Sequence, residues 1–273
     1  ETLPASLKTL NLYQARNISP ALISRALASD SIEELDLTYC DLRRVIVPET
    51  LPTSLKIVNL RQARNIPPEL ILRILASDSI KELDLSDCDL RRVIVPETLP
   101  TSLKALDLAR ATNIPSALIS RITKIEELNL TCCDLRGVIV PETLPASLKT
   151  LNLYQARNIP PELMSRALAS DSIEQLDLTY CDLRRVIVPE TLPASLKTLK
   201  LYKAINIPPA LISRILNSTN IEELDLYGCD LRGVIVPETL PASLKTLNLI
   251  QARNIPSELI SRALADSIEQ LFL

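Results

Sequence analysis

Leucine and isoleucine recur at fixed spacing along the chain, with polar residues between them. Residues 31–42 read Ser-Ile-Glu-Glu-Leu-Asp-Leu-Thr-Tyr-Cys-Asp-Leu. Around Leu35 and Leu37 the apolar and polar positions alternate with period two, which indicates a half-buried strand. The same spacing returns at 79–90, 124–135, 172–183 and 220–231, and it begins again at 267.

The repeat that contains this pattern is 48 residues long, except in its third copy, which has 45. Each repeat also holds a second alternating stretch, around Leu10 and Leu12 in the first copy, so it consists of two half-repeats. We therefore predict one solenoid over residues 1–273 with twelve short parallel strands, stacked about 4.8 Å apart. The repeats begin at positions 1, 49, 97, 142, 190 and 238, and the last is incomplete.

The two segments that return from one strand to the next differ in pattern. Residues 17–30 have apolar positions at helical spacing, and Pro20, like Pro68 and Pro161 in other repeats, suits the first turn of a helix. The third repeat is shorter here, so its helix is predicted to be short. Residues 41–52 contain a Val-Ile-Val run followed by two prolines, which predicts an extended return. Helices on alternate turns predict a right-handed solenoid with mild curvature.

The skeleton Leu/Ile-x-x-Leu-x-Leu-x-x-Cys-x-Leu resembles the leucine-rich repeat family, in the variant with Cys where others have Asn. The helix-bearing halves are similar to the cysteine-containing and ribonuclease-inhibitor-like subclasses, and the phrase Leu-Pro-Ala-Ser-Leu-Lys resembles FNIP-type repeats. This resemblance covers the whole chain and implies an α/β solenoid with a parallel sheet on its concave face and helices on alternate convex turns. One departure is Ala15 and its equivalents, which replace the family's usual Asn or Cys in the first half-repeat.

The composition argues against several kinds of chemistry. The chain has no His and only three Gly, so it lacks the commonest general base and metal ligand as well as glycine-rich phosphate loops. Its net charge of −3 argues against nucleic-acid binding, and no apolar run approaches the ~20 residues that span a membrane. We therefore expect no enzymatic activity, no cofactor and no metal, and neither nucleic acid nor a membrane as partner.

Five of the six cysteines share one position of the repeat, which predicts a buried column of thiols. Neighbours in this column are two turns, or about 9.6 Å, apart, which is too far for a disulfide. Cys132 lies outside the column and is the one thiol predicted to be exposed. Unpaired thiols indicate a reducing compartment such as the cytoplasm. The column consists of Cys40, Cys88, Cys133, Cys181 and Cys229.

The polar strand positions of the second half-repeats predict an acidic face. It is interpreted either as a solvated surface that keeps a long sheet soluble or as a binding surface for a protein with basic patches. A catalytic pair of carboxylates needs a pocket that raises one pKa, and an open face offers none. The candidate residues are Glu34, Asp36, Glu82, Asp84, Glu127, Asp177, Glu223 and Asp225.

Tyrosines are concentrated in the fourth and fifth repeats, at or beside concave positions. Because exposed tyrosines often anchor interfaces, we predict a binding hot spot at Tyr154, Tyr180, Tyr202 and Tyr227, with Lys200 between them. Drift between repeats would also produce such a cluster, and this alternative stays open.

Charged columns also follow the repeat. Lys8 and its equivalents alternate along the stack with Glu33 and its equivalents, which predicts cross-strand ion pairs, although Lys81 breaks the order. Arginine pairs at 43–44, 91–92 and 184–185 start the extended return. They are interpreted as a solvated edge, with a site for an acidic partner as the alternative.

Together these patterns predict a non-enzymatic scaffold that binds a protein partner on its concave, acidic and tyrosine-bearing face. Near-identical tandem copies without secretory disulfides are similar to bacterial or amoebal repeat proteins, which implies an effector that acts in a host cytosol after secretion. Three alternatives stay open: the substrate-recognition arm of a larger enzyme such as a ubiquitin ligase, a structural spacer without a specific ligand, and self-association through uncapped ends.

Overall fold

The computed structural model describes residues 3–15, 17–265 and 268–273. The predicted repeat start at position 1 and the strand pattern that begins at 267 therefore fall partly outside the described residues.

The chain divides into two compact units. The first comprises Glu1–Asn129 and Gly137–Pro141, and the second comprises Leu130–Arg136 and Glu142–Leu273. The prediction of a single solenoid over 1–273 stays a prediction.

The first unit contains six three-residue strands, and each pairs in parallel with the next one along the chain. Three helices connect alternate pairs: α1 (Pro20–Leu27), α2 (Pro68–Leu75) and α3 (Ser116–Ser120). The strands are β1 (Thr9–Asn11), β2 (Glu34–Asp36), β3 (Ile57–Asn59), β4 (Glu82–Asp84), β5 (Ala105–Asp107) and β6 (Glu127–Asn129).

The second unit repeats this arrangement with six further parallel strands. Its helices are α4 (Pro161–Leu168), α5 (Pro209–Ile215) and α6 (Ser257–Ala265). Its strands are β7 (Thr150–Asn152), β8 (Gln175–Asp177), β9 (Thr198–Lys200), β10 (Glu223–Asp225), β11 (Thr246–Asn248) and β12 (Gln270–Phe272). The twelve predicted strands and the helix on every second turn are confirmed.

Helix length follows the sequence of each return segment. Pro20, Pro68 and Pro161 each begin a helix, where a missing N–H costs nothing. Helix α3 has five residues instead of the eight in α1 and α2, because the third repeat is three residues shorter there. The predicted short helix is thus confirmed.

The extended returns are fastened to the helices by serine hydroxyls. Ser24 in α1 donates to the Pro20 carbonyl (2.8 Å) and accepts from the N–H of Ile46 (2.8 Å). Ser165 and Ser213 make the same pair of bonds in the second unit. Each hydroxyl accepts a backbone N–H of the return segment. In a helix this N–H would bond to a carbonyl of the same helix, so the serine replaces that bond and the return can stay extended, as predicted.

The aliphatic layers lie in register within each unit. The central residue of each strand from β2 to β11 is buried, whereas that of β1 and of β12 is half-buried. In the first unit the register aligns Leu35 with Val58 and Val58 with Leu83, so equivalent side chains stack directly. The outer strand positions alternate with these and remain exposed or half-exposed, as the period-two pattern predicts.

Ion pairs at the amino ends of the strands confirm four pairs of the predicted lysine and glutamate column. Lys81 has no alternating partner: its N–H donates to the Lys56 carbonyl, and its own carbonyl accepts from Lys104, so three lysines follow one another. The ion pairs are Lys8–Glu33 (3.0 Å), Lys104–Glu126 (3.1 Å), Lys197–Glu174 (2.9 Å) and Lys245–Glu222 (2.8 Å).

Candidate protein-interaction surface

The acidic strand positions separate into two groups with different surroundings. In β2, β4, β6, β8 and β10 the first residue is exposed and the third is half-buried. The exposed group contains Glu34, Glu82, Glu127 and Glu223, and the half-buried group contains Asp36, Asp84, Asp177 and Asp225.

The half-buried aspartates hold the backbone turn that follows each strand. Their Oδ1 atoms accept the N–H of the residue two positions later: Thr38 (2.9 Å), Ser86 (2.7 Å), Thr179 (2.9 Å) and Tyr227 (3.0 Å). Asparagines do the same in the first half-repeats, as in the bond from Tyr154 to Asn152 (2.9 Å). The alternating pattern predicts all the acidic positions as one surface, whereas the aspartates bond to the backbone and the exposed glutamates do not have this role.

The turn after each strand places one residue in the left-handed backbone region. In the second unit this position holds Tyr180 (φ 61°), Lys203 (φ 49°) and Gly228 (φ 67°). Their N–H groups donate to carbonyls of the next turn: Tyr180 to Tyr202 (2.9 Å), Lys203 to Tyr227 (2.7 Å) and Gly228 to Ile250 (2.9 Å). Neighbouring turns are therefore held in register, and so are the side chains that they carry.

Four tyrosine rings contact one another across these turns; we call them the tyrosine ladder. The rings of Tyr154 and Tyr180 meet edge to face with centroids 5.8 Å apart, and Tyr180 lies 5.5 Å from Tyr202. Tyr202 and Tyr227 stack at 4.3 Å with an interplanar angle of 10°. The predicted cluster of Tyr154, Tyr180, Tyr202 and Tyr227 is thus one continuous contact.

The cation that lies over the ladder is Lys203. Its Nζ atom is 5.9 Å from the ring centre of Tyr180, 5.5 Å from that of Tyr202 and 5.6 Å from that of Tyr227. Lys200, which the sequence places between the tyrosines, lies in β9 in register with Asp177 and Asp225. Lys203 was missed at the level of the sequence because side chains were assumed to alternate between the two faces of the sheet. The left-handed backbone at Lys203 ends this alternation, and the side chain lies over the rings.

The phenol at the centre of the ladder stays neutral. Burial, together with charge repulsion from the neighbouring phenols of Tyr180 and Tyr227, raises the pKa of Tyr202 to about 12. At neutral pH the ladder therefore offers aromatic faces and hydroxyl groups, with one positive charge from Lys203.

The first unit has charged side chains at the equivalent turns. Asp87 receives a bidentate pair of bonds from Arg110 (2.7 Å each) and one from Gln62 (3.2 Å), and Arg61 approaches it at 3.7 Å. The Arg110 guanidinium keeps the pKa of the Asp87 carboxyl below its usual range, in spite of partial burial. The same backbone positions thus carry an ion cluster after β3, β4 and β5 and aromatic rings after β7, β8, β9 and β10.

Aspartates also line the loops beyond the strands. Asp182 accepts hydrogen bonds from the N–H and Nε of Arg184 (3.1 and 2.7 Å) and from the Asn206 amide (2.9 Å). These donors lower the pKa of the Asp182 carboxyl to about 2, with the Arg184 side chain as the largest cause. The same aspartate-to-asparagine bond recurs at Asp41–Asn65, Asp89–Asn113, Asp134–Asn158 and Asp230–Asn254.

Within the described ranges, no cluster of three or more His, Cys, Asp or Glu side chains is arranged to hold a metal ion. Among the residues that the structure describes, no helix is long and apolar enough to cross a bilayer.

No protein-family model matches the sequence, and neither does any curated protein. Among solved structures, the chain is similar to YopM from Yersinia enterocolitica WA-314, with 18% sequence identity and a TM-score of 0.46. The alignment covers 100% of this chain and 56% of that one, so this chain spans about half the length of the YopM chain. The assignment of fold comes from the stacked parallel strands and their alternating returns. Each unit has a leucine-rich repeat fold.

Within the leucine-rich repeat turns, thiols occupy the buried position in the second half-repeats. The Sγ atoms of Cys88, Cys181 and Cys229 lie 2.9–3.1 Å from the carbonyls of Leu60, Leu153 and Leu201. Burial raises the pKa of all three thiols to about 12, so they remain protonated donors. The predicted buried column is confirmed for its five members, and Cys132 is half-buried outside it. The subclass of leucine-rich repeat stays a prediction.

Proposed function

We propose that this protein is a non-enzymatic scaffold that recognises another protein, with the tyrosine ladder and Lys203 as its main anchor. The observation that carries the proposal is the continuous contact of four tyrosines, three of which lie under the ammonium group of Lys203. Tyrosine offers a large contact area at a low cost in conformational entropy, and rings that are already packed lose little further freedom on binding.

The charges around the ladder indicate what the partner presents to it. Glu223 is exposed on the same face of β10 as the half-buried Asp225. We propose that the partner places an apolar or aromatic side chain on the rings and a basic group opposite Glu223. The exposed glutamates Glu34, Glu82 and Glu127 extend the same chemistry in the first unit.

The chain contains a matched control for a test of this proposal. Tyr13 and Tyr39 form an edge-to-face pair with centroids 5.7 Å apart, close to the 5.8 Å of Tyr154 and Tyr180. Partners captured by the wild-type protein would be measured by calorimetry against two double variants, Tyr154→Ala/Tyr180→Ala and Tyr13→Ala/Tyr39→Ala.

We expect the ladder variant to lose at least about 2 kcal/mol of binding free energy, as is typical of tyrosine hot spots, and the control to lose little. Equal losses in both variants would contradict a specific role for the ladder. Unchanged binding in both would favour the structural spacer or a site elsewhere in the chain.

We also propose that the protein works in a reducing compartment. This is supported by Cys40, Cys88, Cys181 and Cys229, which are buried as thiols and form no disulfide in the described part of the chain. Action as an effector inside a host cell stays a prediction from the sequence.

A further inference from the structure

The loops at the carboxyl ends of the strands are strongly basic, although the chain as a whole has a net charge of −3. We call these loops of the second unit the loop edge. Its backbone continues the sheet through isolated bridges, which place Asp134 beside Arg157 and Asp230 beside Arg253. The loop edge contains three aspartates, namely Asp134, Asp182 and Asp230, and seven cations, namely Arg136, Arg157, Arg184, Arg185, Lys203, Arg232 and Arg253.

The aspartates of the loop edge already have arginine or asparagine partners within the chain. Asp182 binds Arg184, and the Asp230 carboxylate faces Arg232 at 3.8 Å and accepts from Asn254 at 2.7 Å. Over the described part of the chain, the side chains of Arg157, Arg185 and Arg253 form no salt bridge. With seven cations against three aspartates, the loop edge keeps a surplus of positive charge that can attract an external anion.

These cations line two cavities that lie one repeat apart. The first, of about 520 Å³, lies over Ala156 and is lined by Arg157, Arg184 and Arg185 together with Tyr180 and Asp182. The second, of about 700 Å³, lies over Ala204 and is lined by Lys203, Arg232 and Arg253 together with Asp230. In each cavity three cations therefore outnumber one aspartate.

Both cavities owe their depth to a small residue. Ala156 and Ala204 occupy the position that a cysteine fills in the alternate half-repeats, as Cys181 does between them. Their side chains are buried at the base of the cavities and leave room for a guest above them. In the second unit the departure from the family pattern thus accompanies two recesses, over Ala156 and Ala204.

The distance between the two recesses determines how far apart two side chains of a bound peptide must lie. Two strand spacings amount to about 9.6 Å. A polyproline II helix rises about 3.1 Å per residue with three residues per turn, so every third side chain lies on one face and about 9.3 Å from the last. In a β-strand, by contrast, side chains three residues apart point to opposite faces.

We propose that the loop edge binds an extended acidic segment of a partner protein, in polyproline II conformation, with a carboxylate at every third residue. One carboxylate enters the recess at Arg157 and Arg185, and the next enters the recess at Lys203 and Arg253. A nucleic acid fits less well, because the exposed glutamates and the negative net charge repel a long polyanion.

The test uses the whole 273-residue chain and two synthetic 15-residue peptides of identical composition. One is (Glu-Pro-Pro)5, which repeats the acid at every third residue, and the other has its five glutamates in one block. We expect the periodic peptide to bind more tightly by fluorescence anisotropy at 150 mM salt. Equal affinities would overturn the geometric claim, and tighter binding of a single-stranded oligonucleotide of equal charge would overturn the choice of partner.

A pair of double variants tests the location. Arg157→Ala/Arg253→Ala removes one cation from each recess, and both side chains lack ion pairs, so folding should be retained. It should weaken binding of the periodic peptide by about 5- to 30-fold. The control Arg73→Ala/Lys124→Ala removes the same charge from exposed positions outside the loop edge. An equal loss in the control would overturn the assignment to the recesses.

Discussion

The Cγ atom of Lys203 lies 3.0 Å from the point that a Cβ atom on Gly228 would occupy. The other turns of the second half-repeats have Tyr39, Asp87, Cys132 or Tyr180 at this left-handed position. Only the fifth repeat has glycine there, and the stem of Lys203 crosses the space that this leaves. The missing side chain therefore allows the ammonium group to reach the rings of the tyrosine ladder.

The first prediction is that Gly228→Ala displaces Lys203 from the tyrosine ladder. A new Cβ would be too close to the lysine stem, so the near-ultraviolet circular dichroism of tyrosine should change. Because the chain has no Trp and only one Phe, this signal comes almost entirely from its six tyrosines. Affinity for a partner that binds the ladder should also fall.

Gly137→Ala is the matched control for this substitution. Gly137 has φ 76° and no atom within 4 Å of an added Cβ. Both variants should lose about 1–2 kcal/mol of unfolding free energy, because each forces an L-residue into the left-handed region. An unchanged tyrosine spectrum in Gly228→Ala would contradict the role assigned to the glycine.

The second prediction distinguishes the aspartates of the sheet, which accept backbone hydrogen bonds, from the exposed glutamates. Asp225→Ala leaves the Tyr227 N–H without its acceptor and should lower the unfolding free energy by about 1 kcal/mol. Asp225→Asn should be tolerated, since Asn152 and Asn248 make the equivalent bond. Glu223→Ala should change stability by less than about 0.5 kcal/mol, as is usual for exposed positions. Urea denaturation of the three variants checks the order, which would be refuted by equal losses at both positions.

The sequence predicted the elements of the fold well because one local pattern recurs in every repeat. Period-two alternation around Leu35 and Leu37 determines a strand, and Pro20 marks the start of a helix. The short α3 could be predicted because three missing residues remove nearly one turn. Local spacing was sufficient in each case, since each layer packs against a copy of itself.

The candidate site could be predicted only in part. The tyrosines were visible as a cluster, and Lys200 was named because it lies between them in the sequence, but Lys203 was not among the predicted residues. The left-handed backbone at Lys203 depends on hydrogen bonds between turns, and its position over the rings depends on Gly228 in the next turn. Such contacts between neighbouring half-repeats cannot be predicted from the hydrophobic period of one half-repeat alone.

The third prediction concerns Asp182 and acid. Its carboxyl pKa is about 2 in the folded chain and 3.8 without these contacts, so the folded state favours the charged form. The resulting stability is fully present above about pH 4 and is lost as the pH falls toward 2. Asp182→Asn should cost about 0.5–1 kcal/mol at pH 7, a modest value because the pair is exposed.

This cost should shrink as the pH falls toward 2, where about half of the wild-type carboxyl groups are protonated. Glu190→Gln serves as the control, since this exposed carboxyl lies in the extended return and takes part in no salt bridge in the described part of the chain. Denaturation curves from pH 2 to pH 7 provide the measurement. A difference between Asp182→Asn and wild type that does not depend on pH would show that charge is not its cause.

The fourth prediction is a stabilising substitution, Lys81→Glu. Lys81 is held by backbone hydrogen bonds between Lys56 and Lys104, so its ammonium group lies between two like charges. A glutamate there would restore the alternation found elsewhere in the column and should raise the unfolding free energy by about 0.2–1 kcal/mol. Lys124→Glu makes the same change of charge at an exposed position outside the column and should have a smaller effect. The gain should shrink in 1 M salt, because screening weakens exposed ion pairs, and a gain that persists there would point to packing instead of charge.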